Sequence, residues 1–152
     1  MPMSPVAFVD TNVPIYAAGR AHPLKEPCGQ ILLLVAEHPE AFLTNAEVLQ
    51  ELLHRYLALR LWPQGREVLF RFGELMSGRV EAVQVSDVER AATLADDHQE
   101  LGSRDLLHAA TMQRLGIRLI ISADAGFDTL QEVERLDPAQ YLSWRETILR
   151  LG

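Results

Sequence analysis

The sequence predicts an α/β protein in which helices cover both faces of a central parallel sheet. Short apolar segments such as "VAFV" and "IRLIIS" alternate along the chain with longer segments whose apolar residues recur at helical spacing. Strands that are apolar on both sides are typical of a sheet buried between two layers. Alternating strands and helices therefore predict a three-layer α/β/α sandwich with a parallel sheet. The 152 residues, of which 48% are hydrophobic, suit a single domain, 1–152.

The predicted strands are short segments rich in apolar residues. The first, "VAFV", is followed directly by Asp10, and the fourth, "IRLIIS", has the strongest strand character. In chain order the predicted strands cover residues 6–9, 41–44, 80–85, 117–122 and 133–136. Right-handed crossovers between parallel strands place their carboxyl ends on one edge of the sheet.

Residues that start or stop helices bound the segments between these strands. The predicted helices cover residues 13–18, 22–38, 46–60, 63–76, 86–98 and 104–115, with a final helix that begins at 138. Their predicted N-terminal caps are Thr11 or Asn12, Thr44 or Asn45, a capping box of Ser86 with Glu89, and Ser103. Gly19 and Gly116 are placed to end the first and sixth helices.

The charge balance restricts the ways in which the chain can bind nucleic acid. A net charge of -7 argues against a general basic surface but is compatible with an enzyme that has a local basic rim. The basic residues are thirteen Arg and the single Lys25. Arg suits bidentate phosphate contacts, although a biased genomic base composition explains the excess equally well.

The sequence also indicates where the protein works. The single cysteine, Cys28, cannot form an internal disulfide, which is consistent with a reducing cytoplasm. The N-terminus lacks a basic region followed by an apolar one, so we expect no signal peptide. The longest apolar run, 31–36, is too short to span a bilayer. We therefore expect a cytoplasmic protein without a membrane partner.

Four acidic residues recur at equivalent ends of the predicted elements. Asp10 follows the first strand, and Asp124 lies two residues past the fourth. Glu47 and Asp105 lie in the first turns of their helices. Each acid alone is explained by a helix dipole or a turn. Together they predict one acidic crevice beyond the carboxyl ends of the strands, where open α/β sheets bind ligands.

A crevice with four carboxylates predicts a divalent cation. The carboxylates repel one another, and either protonation or a bound cation must relieve that repulsion. Ligands that are all oxygen atoms favour Mg²⁺ or Mn²⁺ over zinc, and no His/Cys set has zinc spacing. Such a centre is typical of metal-assisted phosphodiester hydrolysis, in which the metal activates a water.

The segments "FVDTNVPIY", "TNAEVLQEL", "LGSRDLLHAATMQRLGIRLIISADAGFD" and "ERLDP" resemble the PIN-domain ribonucleases, especially the VapC-type toxins of bacterial toxin–antitoxin pairs. The resemblance assigns the family's four acids to Asp10, Glu47, Asp105 and Asp124. It implies cleavage of RNA, often tRNA or ribosomal RNA, with Mg²⁺ or Mn²⁺. It also implies a homodimer and, as partner, a small DNA-binding antitoxin that blocks the site.

Further polar residues near these acids are candidates for supporting roles. Thr11, Asn12 and Ser122 resemble the polar residues that surround the first acid in the family, although capping and turn formation explain them equally well. The other candidates are Asp128 as a water-mediated metal contact, Arg104 as a phosphate contact, and His108, for which a packed core position is the simpler interpretation.

Three other classes of protein compete with this interpretation. A haloacid-dehalogenase phosphatase needs a second Asp two residues after the first, where this chain has Asn12. A receiver domain needs a Lys after a later strand, and Lys25 comes too early. A catalytically silent PIN-like module that binds RNA or protein stays open, because intact acids do not prove turnover.

Residues 30–37 form a predicted helix that is apolar almost all round. Such a helix suits either the core or a surface that binds the antitoxin or a second copy of the chain.

Overall fold

The computed structural model describes residues 5–151, and its strands form one parallel sheet. The strands are β1 (Ala7–Val9), β2 (Phe42–Asn45), β3 (Val80–Glu81), β4 (Leu119–Ile121) and β5 (Glu134–Leu136). Their order across the sheet is β3-β2-β1-β4-β5, and every neighbouring pair is parallel. The predicted parallel sheet is confirmed.

Helices account for most of the remaining chain. They are α1 (Asn12–Ala18), α2 (Lys25–Glu37), α3 (Ala46–Ala58), α4 (Trp62–Leu75), α5 (Val85–Asp97), α6 (Ser103–Leu115) and α7 (Tyr141–Leu151). Short 3-10 turns lie at Pro39–Ala41, Ala125–Thr129 and Pro138–Gln140. Among residues 5–151, no helix has both the length and the apolar character needed to cross a bilayer.

The chain reverses its direction across the sheet at β1. It first moves from β1 to β2 and β3 on one side, and then returns to β4 and β5 on the other. Right-handed crossovers place α1 to α4 on one face and α5 with α6 on the opposite face, which confirms the three-layer arrangement. The reversal leaves a crevice between the carboxyl ends of β1 and β4, and this is where the residues after those strands meet.

The two central strands are buried on both faces. Ala7, Phe8 and Val9 of β1 have no exposed surface, and neither do Ile120 and Ile121 of β4. The registers that pair Ala7 with Leu119 and Val9 with Ile121 bring both strands to an end at the same level. The residues that follow β1 and β4 are therefore held in place by two buried and paired strands.

The strand predicted over 80–85 is much shorter in the structure. Only Val80 and Glu81 pair, with Thr44 and Asn45 of β2. The chain of β2 turns into α3 directly after Asn45, so no backbone groups remain for a longer β3 to pair with. Of the two caps predicted for α3, the structure shows Asn45. Its side-chain oxygen accepts the N–H of Val48 at 3.0 Å.

Two other predicted caps are wrong. Helix α5 begins at Val85, so Ser86 lies inside the helix and does not form a capping box with Glu89. The carboxylate of Asp87 instead accepts the N–H of Gln84, just before the helix. Ser103 is the first residue of α6, and the preceding glycine takes the flanking position. Gly116 ends α6 as predicted, with a left-handed backbone (φ 71°).

A close approach between α3 and α4 yields a stability prediction. A Cβ atom added to Gly65 would lie 2.2 Å from the side chain of Tyr56. We expect Gly65→Ala to lower the free energy of unfolding by about 1–3 kcal/mol, the usual cost of overpacking. Gly73→Ala on the same helix meets no atom within 4 Å and should be neutral or stabilising by about 0.5–1 kcal/mol. Denaturant unfolding of both variants tests this; equal effects would contradict it.

Candidate active site

Asp10 lies at the end of β1 and is held by hydrogen bonds on both carboxylate oxygens. One oxygen accepts the N–H of Thr11 at 2.7 Å. The other accepts the hydroxyl of Ser122 at 2.6 Å and the side-chain amide of Asn12 at 3.2 Å. Only 4% of Asp10 is exposed. Burial raises the pKa of this carboxyl above its ordinary value, and the hydrogen bonds and His108 oppose the shift only in part.

Asn12 and Ser122 connect the ends of the two central strands. The amide nitrogen of Asn12 donates to the Ser122 hydroxyl, and the amide oxygen accepts the N–H of Ala123. Ser122 in turn accepts the N–H of Asp124 at 3.0 Å. The prediction that these polar residues surround the first acid is confirmed, and the resulting network fixes where Asp10 and Asp124 stand relative to each other.

Asp105 and Asp124 are the two predicted acids that follow Asp10 toward the rim of the crevice, and their assignment to a metal site stays a prediction. Asp105 is half-buried in the first turn of α6, whereas Asp124 is exposed at the start of the 3-10 turn after β4. Desolvation, a hydrogen bond with Asp124 and the negative charge of Asp10 raise the pKa of Asp105 to about 7. Asp105 is therefore near enough to both Asp10 and Asp124 for their charges to act on it.

The fourth predicted acid, Glu47, has a different neighbour. Its carboxylate lies 3.4 Å from the guanidinium of Arg104 at the start of α6. The acid that α3 brings next to Asp10 is Glu51, one helical turn further along. Sequence reasoning missed Glu51, although the segment "NAEVLQE" contains both acids and residues four apart share one helix face. The assignment of Glu47 to the site stays a prediction.

Asp10, Glu51 and His108 form a compact group of possible metal-binding atoms. One oxygen from each acid and one ring nitrogen all lie within 4.8 Å of one another. The hydroxyl of Thr11 donates to Glu51, so Thr11 does not cap α1 with its side chain. Burial alone would raise the pKa of Glu51, but His108, Thr11 and Arg104 together lower it. Glu51 is therefore ionised next to a buried, poorly hydrated Asp10.

His108 lies in the core of the molecule below these acids. Its ring is fully buried and packs on Phe8 with the ring centroids 5.1 Å apart. The nitrogen Nε2 is 3.6 Å from Asp10 and 3.7 Å from Glu51. Burial opposes a charged ring, but these carboxylates outweigh burial and raise the pKa of His108. The core position predicted for this residue is confirmed, and the contact with the acids adds to it.

Asp128 is engaged elsewhere. Its two carboxylate oxygens accept hydrogen bonds from the guanidinium of Arg135 at 3.0 and 3.1 Å, and this pair lowers the pKa of Asp128. A third nitrogen of Arg135 donates to the backbone carbonyl of Ser122. The pair supports the loop that carries Asp124, and a metal contact for Asp128 stays a prediction without a geometric basis.

The donor set of this crevice fits a hard divalent cation. Asp10, Glu51, Asp105 and Asp124 offer carboxylate oxygens, the ligands preferred by Mg²⁺ and Mn²⁺. Burial is the largest cause of the raised pKa values of Asp10 and Asp105, and crowding with neighbouring carboxylates adds to both. A divalent cation would relieve that crowding, and the ionised acids would then provide its binding site.

The raised pKa of Asp105 predicts a pH dependence of stability. Between its ordinary pKa of 3.8 and about 7, the carboxyl binds a proton only in the folded state, so stability falls as pH rises through this range. Without metal, Asp105→Asn should flatten this fall and melt at a higher temperature than the unaltered chain at pH 8. Excess Mg²⁺ should reverse the trend for the unaltered chain, because the cation binds the ionised form.

Thermal melts from pH 4 to 8, in chelator and in Mg²⁺, measure both effects. The exposed acid Asp96 on α5 provides the control, and Asp96→Asn should keep the pH profile of the unaltered chain. A metal-free profile of Asp105→Asn that matches the unaltered chain would contradict the shifted pKa.

Comparison with known proteins identifies relatives over most of the chain. A family model described as PIN domain matches residues 7–133. Ribonuclease VapC23 of Mycobacterium tuberculosis is 42% identical over 120 residues, which are 77% of this chain and 91% of that protein. Ribonuclease VapC13 of the same species is 36% identical over 132 residues, which are 85% of this chain and 98% of that protein.

Solved structures share the fold at lower identity. VapBC2 from Rickettsia felis, bound to a DNA fragment from its promoter, superposes with a TM-score of 0.67 and 15% identity, over 87% of this chain and 98% of that chain. FitAcB from Neisseria gonorrhoeae superposes with a TM-score of 0.65 and 22% identity, over 88% and 98%. The chain therefore belongs to the PIN-domain family and, within it, to the VapC ribonucleases.

Proposed function

We propose that this protein is the toxin of a toxin–antitoxin pair and hydrolyses RNA phosphodiester bonds with Mg²⁺ or Mn²⁺. The proposed ligands are Asp10, Asp105, Asp124 and an acid of α3, for which Glu51 is better placed than Glu47. The observation that carries the proposal is the crowding of carboxylates in one crevice, where burial raises the pKa of Asp10 and of Asp105. Membership of the VapC ribonucleases makes a silent binding module the less favoured alternative.

Each acid has a distinct part in this chemistry. When bound, the divalent cation supplies an activated water and neutralises charge on the leaving oxygen. Asp10 stays fixed because hydrogen bonds from Thr11 and Ser122 hold both of its oxygens. Asp105, whose pKa is about 7 in the absence of metal, would bind the cation in its ionised form together with Asp10. Asp124 is exposed at the rim, where a polynucleotide has access.

The proposed substrate is RNA, with tRNA or ribosomal RNA as the finer suggestion of the family resemblance. Because the chain carries a net charge of -7, affinity must come from a few local contacts rather than from a general basic surface. Arg104, next to Asp105 in sequence and paired with Glu47, is the nearest candidate for a phosphate contact. An RNA substrate also agrees with the cytoplasmic location expected from the sequence.

The proposed protein partner is an antitoxin. The structural relative VapBC2, which was solved bound to a DNA fragment from its promoter, supports this proposal. A largely apolar groove of about 560 Å³ between α1, α2 and α4 also supports it. Leu33 of α2, which is 57% exposed, lines this groove, so the apolar segment 30–37 is only partly used in the core. The homodimer suggested by the family resemblance stays a prediction.

Removal and return of metal tests the proposed reaction. The purified chain should cleave RNA in Mg²⁺ or Mn²⁺, lose this activity in excess chelator, and regain it when either cation is restored. We expect activity to be lost and then recovered because oxygen ligands bind hard cations reversibly. Cleavage that persists unchanged in excess chelator would overturn the metal-dependent mechanism, and absence of cleavage in all conditions would favour the silent module.

A further inference from the structure

We propose that His108 is a positioning residue whose ring is held as the Nε2–H tautomer by Asn45, so that it orients Asp10 and Glu51 and does not bind the metal. The effect of His108 on catalysis rests on the proposed function, whereas the position of its ring proton does not. The two candidate roles of this ring nitrogen are mutually exclusive, because a nitrogen that carries a proton has no lone pair for a cation. The group formed by Asp10, Glu51 and His108 is compatible with either role by distance alone.

The direction of the hydrogen bonds decides between these roles, and a backbone N–H group sets that direction. The N–H of Val48 can only donate, and it donates to the side-chain oxygen of Asn45 at 3.0 Å. This helix cap fixes which side of the Asn45 amide is oxygen and which is nitrogen. The amide nitrogen of Asn45 therefore faces the interior, where Thr111 and His108 lie.

The two protons of that amide nitrogen have separate acceptors. Thr111 directs its own hydroxyl proton to the carbonyl of Leu107 at 3.0 Å, so its oxygen accepts from Asn45 at 3.1 Å. The remaining amide proton points to Nδ1 of His108, 3.2 Å away. Nδ1 must then carry a lone pair, because a proton on it would oppose the proton of the amide. The proton of the neutral ring consequently sits on Nε2.

Nε2 lies beneath the two acids that it is proposed to orient. Among residues 5–151, it is one of two fully enclosed side-chain polar atoms that lack a hydrogen-bond partner. Its distances of 3.6 Å to Asp10 and 3.7 Å to Glu51 exceed those of a formed hydrogen bond by roughly 0.5 Å. The N–H is therefore shared electrostatically between the two carboxylates, and it keeps both next to the same point.

The packing around the ring keeps this arrangement in place. Phe8 of the central strand packs against the imidazole, and the ring has no exposed surface. Asn45 and Thr111 are likewise fully buried, so water does not compete for their hydrogen bonds. With His108 as a proton donor, the ligands that remain for the cation are oxygen atoms, which favours Mg²⁺ and Mn²⁺ over metals that prefer nitrogen.

Nuclear magnetic resonance of the metal-free, ¹⁵N-labelled chain reads the tautomer directly and requires no activity. Because the nearby carboxylates raise the pKa of His108, the spectrum is recorded at alkaline pH, where we expect the ring to show an unprotonated Nδ1 and a protonated Nε2, with the His108→Gln spectrum identifying its signals. A proton on Nδ1 at that alkaline pH, alone or together with one on Nε2, would overturn the inference. If the unaltered chain does not cleave RNA, the proposed function fails, while the tautomer is still read from this spectrum.

Electron spin-echo spectroscopy of the Mn²⁺-loaded chain tests whether the ring binds metal. We expect no ¹⁴N coupling from an imidazole in the unaltered chain, and such coupling would overturn the inference. Asn45→Asp keeps the cap on α3 but presents an acceptor to Nδ1, which should move the ring proton there and free Nε2. Imidazole coupling should then appear, and its absence in a folded Asn45→Asp chain would show that Asn45 does not set the tautomer.

Two amide substitutions test the positioning role through its effect on cleavage. Gln at position 108 can place an N–H where Nε2–H lies, whereas Asn is too short to reach the acids. We expect His108→Asn to lower kcat/KM for RNA about 10- to 100-fold, the usual effect of losing a partner of metal ligands, and to weaken Mn²⁺ binding. His108→Gln should recover most of both. Equal losses in two folded variants would overturn the positioning role.

Discussion

Asp10→Asn is expected to lower the rate of metal-dependent RNA cleavage by roughly 100-fold or more while the chain still folds. Asp10 is the most buried of the proposed ligands, and both of its oxygens are engaged. Loss of its charge should remove about 3 kcal/mol or more of the stabilisation that a bound cation gives to the transition state. Since desolvation already disfavours the charge, stability in chelator should be unchanged or higher. Initial rates and thermal melts measure the two effects.

Growth of bacteria that express the chain gives an independent measurement of the same prediction. Expression of the unaltered chain alone should arrest growth, and Asp10→Asn should relieve the arrest. Asp96→Asn, at an exposed position on α5, is the matched control and should remain toxic. Equal toxicity of Asp10→Asn at an equal level of soluble protein would remove the nuclease as the cause of toxicity.

The second large effect is expected from Glu51→Gln, with Glu47→Gln as its matched comparison on the same helix. Glu51 lies with Asp10 and His108, whereas Glu47 pairs with Arg104. Glu51→Gln should lower cleavage by about 100-fold, as for the loss of a metal ligand. Glu47→Gln should stay within about 10-fold of the unaltered chain, since it loses a partly exposed ion pair worth about 1 kcal/mol or less.

Metal-induced stabilisation separates the two acids without an activity assay. At roughly 100 times its dissociation constant, a cation that binds only the folded state adds about 2.7 kcal/mol of stability. Glu51→Gln should lose most of this increment, and Glu47→Gln should keep it. The reverse result, with Glu47→Gln inactive and insensitive to metal, would assign the α3 ligand to Glu47 as the sequence predicted.

Local patterns in the sequence were sufficient for the architecture. Buried strands must be apolar, and helices must show a repeat of 3.6 residues, so segments such as "VAFV" and "IRLIIS" could be assigned without a structure. The alternation of strands and helices then implied a parallel sheet, and its carboxyl edge placed Asp10 and Asp124 together. Caps were less predictable, because Ser86 and Gln84 compete for one helix start and the choice depends on the position of Asp87.

The choice between Glu47 and Glu51 required the tertiary structure. Both acids lie on one face of α3, and no local pattern states which helical turn meets Asp10. That depends on how α3 and α6 pack at the end of β2, since α6 supplies Arg104 for one acid and His108 for the other.

The sequence by itself determined a three-layer α/β protein of the PIN type with acids at the carboxyl edge of its sheet, because periodicity and composition are local properties. Only the tertiary structure decided which side chains share a site and where their protons lie. Hydrogen bonds that run from Val48 through Asn45 to His108 join the start of α3 to α6. Asn45 and His108 are 63 residues apart along the chain. Hydrogen bonds between residues so distant in the sequence form only when the helices and strands pack together, and no local sequence pattern encodes that packing.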